Sequence, residues 1–198
     1  MNLPNKLTVV RIVLAPLFLA LALWEFPFHY AVSLVVFIAA ALTDMLDGKI
    51  ARSRNLITNL GKFLDPLADK MLTTAAFLLF LAIDKMNVWA LMLILTREFM
   101  VTSVRLLAAK GGKVIAASLW GKAKTVAQFI AIIFMLTALE FSTWQTSVLA
   151  GVSLPDAVFS VPLVIGEVLI WISTVLSLIA GAEYVWLNRE YFLDKNEK

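Results

Sequence analysis

Thr43-Asp44-Met45-Leu46-Asp47-Gly48-Lys49-Ile50-Ala51-Arg52 and, eight residues on, Gly61-Lys62-Phe63-Leu64-Asp65-Pro66-Leu67-Ala68-Asp69-Lys70 form the stretch on which the fold turns. The first piece closes an apolar run from Tyr30 to Ile50, and the second opens another from Pro66 to Ile83. Each run approaches the roughly 20 residues that a helix needs to cross a bilayer. Asp44 and Asp47 are three apart and Asp65 and Asp69 four apart, so on helices each pair shares one face. The connection between the runs is short, which makes them antiparallel neighbours and lets all four carboxylates converge near one membrane interface. An ionisable group at membrane depth costs several kcal/mol unless it faces a cavity, a partner or an ion, so the quartet is the first candidate for function.

Working outward, further apolar runs cover Ile12 to Phe28, Val88 to Ala109, Leu119 to Leu139 and Val161 to Leu187. The 198 residues are 61% hydrophobic and 16% charged, against about 45–50% and 25% in soluble domains. With no cysteine and one histidine, His29, the chain has no disulfide framework, thiol nucleophile or multi-His metal site. No repeat, low-complexity tract or linker divides it, so residues 1–198 are expected to form a single membrane domain.

The cations fix the expected topology. Lys6 and Arg11 precede the first run; Lys49, Arg52, Arg54, Lys62 and Lys70 follow the second; Arg105, Lys110, Lys113, Lys122 and Lys124 follow the fourth; Arg189, Lys195 and Lys198 end the chain. The opposite side keeps only Lys85, and Arg97 lies inside the fourth run. By the positive-inside rule both termini are cytoplasmic, which requires an even number of spans. A cleaved signal peptide, with Lys6 and Arg11 as its basic region and Ala20-Leu21-Ala22 as its cleavage motif, would leave five and misplace the tail. The expected fold is therefore an all-α integral membrane protein of six transmembrane helices, with a short amino-terminal interfacial helix before the first. It belongs in the cell (inner) membrane with its carboxylates facing the cytoplasm.

Four carboxylates within a few ångströms cannot all ionise without compensation. One or two divalent cations resolve the conflict, and oxygen-only ligation suits hard ions such as Mg2+ or Mn2+. The alternative makes the aspartates helix caps and partners for Arg52, Arg54, Lys62 and Lys70; it has most merit for Asp65, followed by Pro66 as at a helix start. Gly48 and Gly61 beside the aspartates let a ligand or another backbone approach closely, helix packing being the other reading. With Arg52 one turn after Gly48, the site fits a pyrophosphate or nucleotide substrate.

The pattern Asp44-x-x-Asp47-Gly48-x-x-Ala51-Arg52, eight residues, Gly61-x-x-x-Asp65-x-x-x-Asp69 resembles the full motif of the CDP-alcohol phosphotransferase family of membrane enzymes. The resemblance implies that an alcohol hydroxyl attacks the β-phosphorus of a CDP-linked lipid and that CMP leaves. It also implies roles: Asp44, Asp47 and Asp65 as main metal ligands, Asp69 as ligand to a second ion and general base, and Gly48, Ala51, Arg52 and Gly61 lining the CDP site. Homodimers are usual in such enzymes.

The acceptor is read from cations outside that motif. Arg97 must point into the bundle, Arg105 follows about 80° round the same helix, and Lys122 and Lys124 open the fifth span. Together they suit an acceptor that carries a phosphate. Against this, Glu98 beside Arg97 suggests a buried structural ion pair, and the lysines suit a positive-inside cluster or anionic lipid. Asn5-x-x-Thr8-x-x-Arg11, Arg97-Glu98-Phe99 with Arg105, and Gly121-Lys122-x-Lys124-Thr125 resemble the family branch that uses CDP-diacylglycerol and glycerol 3-phosphate, which adds Asn5 and Thr8 to the CDP site. A sibling acting on inositol phosphate, serine or phosphatidylglycerol needs the same aspartates. A divalent-cation channel or carrier would instead distribute its acidic residues through the membrane.

Overall fold

The computed structural model describes residues 3–53, 59–110, 118–145, 148–149 and 154–189, and every regular element among them but a last 3-10 turn at Arg189 is an α-helix. The order is α1 (Leu3–Leu23), α2 (His29–Ser53), α3 (Asn59–Ala82), α4 (Val88–Lys110), α5 (Leu119–Trp144) and α6 (Ala157–Leu187). Among the described residues, Asn5–Leu23, Leu119–Trp144 and Ala157–Leu187 are long and apolar enough to cross a membrane. Among the described residues, α2 and α3 contribute the apolar stretches His29–Thr43 and Lys70–Ala82. These helices establish a membrane protein.

Helix boundaries follow local chemistry. α3 stops where Asp84 takes a positive φ of 56°, Lys85 N–H donates to Phe80 O at 2.7 Å and Asp84 N–H to Leu81 O at 3.2 Å. This is the paired-bond C-terminal motif with aspartate at the left-handed position that glycine usually fills. Asn87 Oδ1 accepts from Trp89 N at 2.8 Å to begin α4, and Ser118 Oγ accepts from Gly121 N at 3.1 Å to begin α5, both as N-caps.

The separate interfacial helix expected at the amino terminus is not found. Residues 3–23 are one continuous helix, since Pro4 occupies its first turn, where proline is harmless, and nothing from Asn5 to Ala15 breaks it. Pro16 lies within α1, a position that membrane helices tolerate.

The chain divides into two compact units, residues 1–85 with 132–166, and residues 86–131 with 167–198. In the first, α1 packs extensively on both α2 and α3, whereas α2 and α3 meet at few described positions. Its inner stripe is Asn5, Thr8, Arg11, Ala15, Phe18 and Ala22, all buried, at the three- and four-residue steps of one helical face. Phe18 stacks at a tilt on Phe37 with centroids 5.8 Å apart. At the α1–α2 turn, His29 Nδ1 donates to Phe26 O at 2.9 Å, so the single histidine closes a turn. Glu140 of α5 accepts from Ala31 N at 3.0 Å and from Trp144 Nε1 at 3.0 Å, capping the first turn of α2 from another helix. Gly166 admits Met135, whose Cε would lie 2.8 Å from a Cβ there. In the second unit, Val101 and Val104 of α4 form a buried cluster with Tyr184 of α6.

Lipid is as apolar as a helix interface, so packing and not transfer from water sets the worth of Phe18. Phe18→Ala is expected to lower stability in detergent by about 2 kcal/mol, the cavity contribution alone. Val13→Ala, at an exposed position of the same helix, should stay within about 0.5 kcal/mol. Thermal unfolding midpoints of the two variants check this.

Candidate active site

Asp44 and Asp47 lie within α2, and Asp65 and Asp69 within α3, so both pairs have the helical backbone that their spacing requires. Asp65 is not at a helix start: α3 begins six residues earlier, at Asn59, which removes the N-cap alternative. The side chains of Asp44, Asp47, Asp65 and Asp69, and of Gly48, Ala51, Arg52 and Gly61 on the expected CDP face, are outside the described residues.

The backbone level of Asp44 and Asp47 along α2 follows from α1. α1 and α2 are antiparallel across a five-residue turn, and Phe18 faces Phe37. Equal steps from that pair along both helices put Arg11 level with Asp44 and Thr8 level with Asp47. Asn5, Thr8 and Arg11 are all buried. Asn5 and Thr8 are thus on the expected side of α1. Arg11 is the residue that sequence reasoning undervalued, counting it among the cations that precede the first run and giving it no place at the site; it is 1% exposed. α1 contains no acidic residue, so a guanidinium buried there needs negative charge from neighbouring helices. Its spacing of three from Thr8 and six from Asn5 was the available signal.

The second unit holds the remaining cations. Arg97 and Lys124 are each 7% exposed. Both donate to one atom: Arg97 Nη1 to Glu98 Oε1 at 3.1 Å, and Lys124 Nζ to the same oxygen. The ion pair anticipated for Glu98 exists and ties α4 to α5. Arg105 is exposed; its Nε donates to Tyr184 Oη at 3.3 Å, and its guanidinium lies 5.5 Å from the Tyr184 ring centroid. Lys122 is exposed and, two residues from Lys124, falls on another side of α5. The structure therefore brings Arg97 and Lys124 together, orients Arg105 by α6, and leaves Lys122 apart from the buried pair. Tyr184 is a residue that sequence reasoning missed, since a tyrosine near a helix end is also an ordinary interfacial anchor.

Comparison with known proteins shows the family. The family model for CDP-alcohol phosphatidyltransferase matches residues 1–179, and the chain belongs to that family of enzymes. It is 37% identical to the CDP-diacylglycerol–glycerol-3-phosphate 3-phosphatidyltransferase of Bacillus subtilis, over 98% of this chain and 99% of that protein. It is 31% identical to the protein of that name in Rickettsia typhi, over 96% and 99%. A probable phosphatidylglycerophosphate synthase of Mycobacterium tuberculosis is 42% identical over 66% of this chain and 64% of its own.

Removing the charge of Glu98 leaves two buried cations facing each other. Glu98→Gln is expected to cost about 3 kcal/mol of stability, and Glu98→Gln with Lys124→Met to cost less than the two single changes together. Unfolding midpoints of the three variants test the coupling; additive losses would mean that the shared carboxylate does not matter.

Proposed function

We propose that this chain transfers the phosphatidyl group of CDP-diacylglycerol to glycerol 3-phosphate, giving phosphatidylglycerophosphate and CMP. The observation that carries this reading is the level of α1 against the aspartate-bearing end of α2, with Asn5, Thr8 and Arg11 on the buried face of α1. The names of the full-length relatives support the acceptor.

Six spans with both termini cytoplasmic are supported by helix lengths of 21 to 31 residues, sufficient at 1.5 Å per residue for a core of about 30 Å, and by the cation asymmetry. The site then opens to the cytoplasm of a cell (inner) membrane. A family match that runs through both compact units supports one catalytic domain. The homodimer rests on the family resemblance.

Asp44, Asp47, Asp65 and Asp69 have the donor chemistry for two hard divalent ions, Mg2+ or Mn2+, carboxylate oxygens being what such ions take. Bound there, the ions would neutralise charge on the pyrophosphate and on departing CMP. Gly48 and Gly61 leave the α2 and α3 backbones open to the nucleotide, with Ala51 adding little bulk, Arg52 a permanent charge and Asn5 and Thr8 polar groups from α1. Arg97, Arg105 and Lys124 would hold the acceptor's phosphate, with Lys122 at the exposed rim. Asp69 takes the proton of the attacking hydroxyl as its oxygen bonds to the β-phosphorus and the bond to CMP breaks.

Purified protein given CDP-diacylglycerol and Mg2+ should release CMP only when glycerol 3-phosphate is present; release that depends on a different alcohol would sink the acceptor assignment. Asp69→Asn should lower turnover at least about a hundredfold, the scale of a lost general base, with an unchanged unfolding midpoint. Chelation should abolish CMP release, and either Mg2+ or Mn2+ should restore it.

A further inference from the structure

The second unit contains two α6 contacts that the reaction chemistry does not require and the sequence did not signal. A Cβ on Gly181 would lie 2.6 Å from Arg97 Cγ and 3.4 Å from Nε. The first distance is closer than real side-chain carbons come, and the atom met is on the stem of the arginine, not its mobile tip. Glycine at 181 therefore lets the Arg97 stem, with its Nε, lie flat on α6. Nη1 is engaged by Glu98, while Nε is buried with no hydrogen-bond partner among the described residues. A buried guanidinium that keeps a donor without a partner still calls for an acceptor, which an anion supplies.

Three residues further along the same face of α6, Tyr184 is buried. Its hydroxyl accepts from Arg105 Nε, and its ring lies under the guanidinium. An exposed arginine otherwise samples many rotamers, and immobilising it beforehand removes that entropy cost from binding. Gly181 and Tyr184 both lie beyond residue 179, where the family match ends.

We propose that Gly181 and Tyr184 are positioning residues for the phosphate of the acceptor, Gly181 by seating Arg97 and Tyr184 by orienting Arg105. The inference rests on the acceptor reading of those two arginines and adds α6 to the determinants of acceptor affinity.

Initial rates of CMP release by the purified full chain in detergent, with each substrate varied while the other saturates, test it. Gly181→Ala should raise the KM for glycerol 3-phosphate about tenfold, as expected for a displaced phosphate ligand, and leave the KM for CDP-diacylglycerol unchanged. Tyr184→Phe keeps the ring and loses one hydrogen bond, and should raise the same KM about threefold. If Gly181→Ala lowers the unfolding midpoint, Tyr184→Phe decides. An acceptor KM equal to wild type in the deciding variant, or a common shift of kcat and both KM values, overturns the proposal. Wild-type protein that ignores glycerol 3-phosphate would overturn the proposed function and this inference with it, whereas normal wild-type turnover with unshifted variants overturns the positioning role alone.

Discussion

A charge at membrane depth persists only beside its opposite, and this constraint accounts for most of what distinguishes the helices of this protein from plain apolar rods. Glu98 holds Arg97 and Lys124 on one oxygen and so joins two helices. Arg11, on a helix without an acidic residue, is buried level with Asp44 of α2. In each unit the buried charges are confined to a few positions, and the rest of each helix is left to packing.

Packing then supplies the geometry. α1 carries one buried stripe whose amino-terminal part is polar and whose remainder is small or aromatic. It is the surface on which both aspartate-bearing helices rest. In the second unit the small residue is on α6, where Gly181 makes room for an arginine stem in the way that small residues elsewhere in membranes make room for a backbone.

The six helices were legible because apolar runs and charge-bearing connections alternate, and the aspartate pairs because their spacing matches the helical period. The start of α1 was misread: Asn5, Thr8 and Arg11 look like an interfacial arm when polarity is counted, and only their common face, seen once α2 and α3 are in place, explains their burial. Asp65 before Pro66 imitated a helix start, but α3 begins at Asn59, so proline after aspartate was an unsafe boundary mark. Gly181 and Tyr184 were invisible for a different reason. Their roles depend on which residues of α4 lie opposite, and no periodicity along one chain segment carries that information.

The cap that Glu140 places on the first turn of α2 has a mechanical side. Trp144 Nε1, one turn on along α5, steadies the Glu140 carboxylate, and the 3.0 Å bond from Ala31 N then resists a slide of α2 along its axis. A helix so pinned responds to a thinner or thicker bilayer by leaning together with its partner, not by slipping past it. A stop at the α1–α2 end of α2 therefore fixes the register of that helix on α5, and this register travels with the protein from one lipid environment to another.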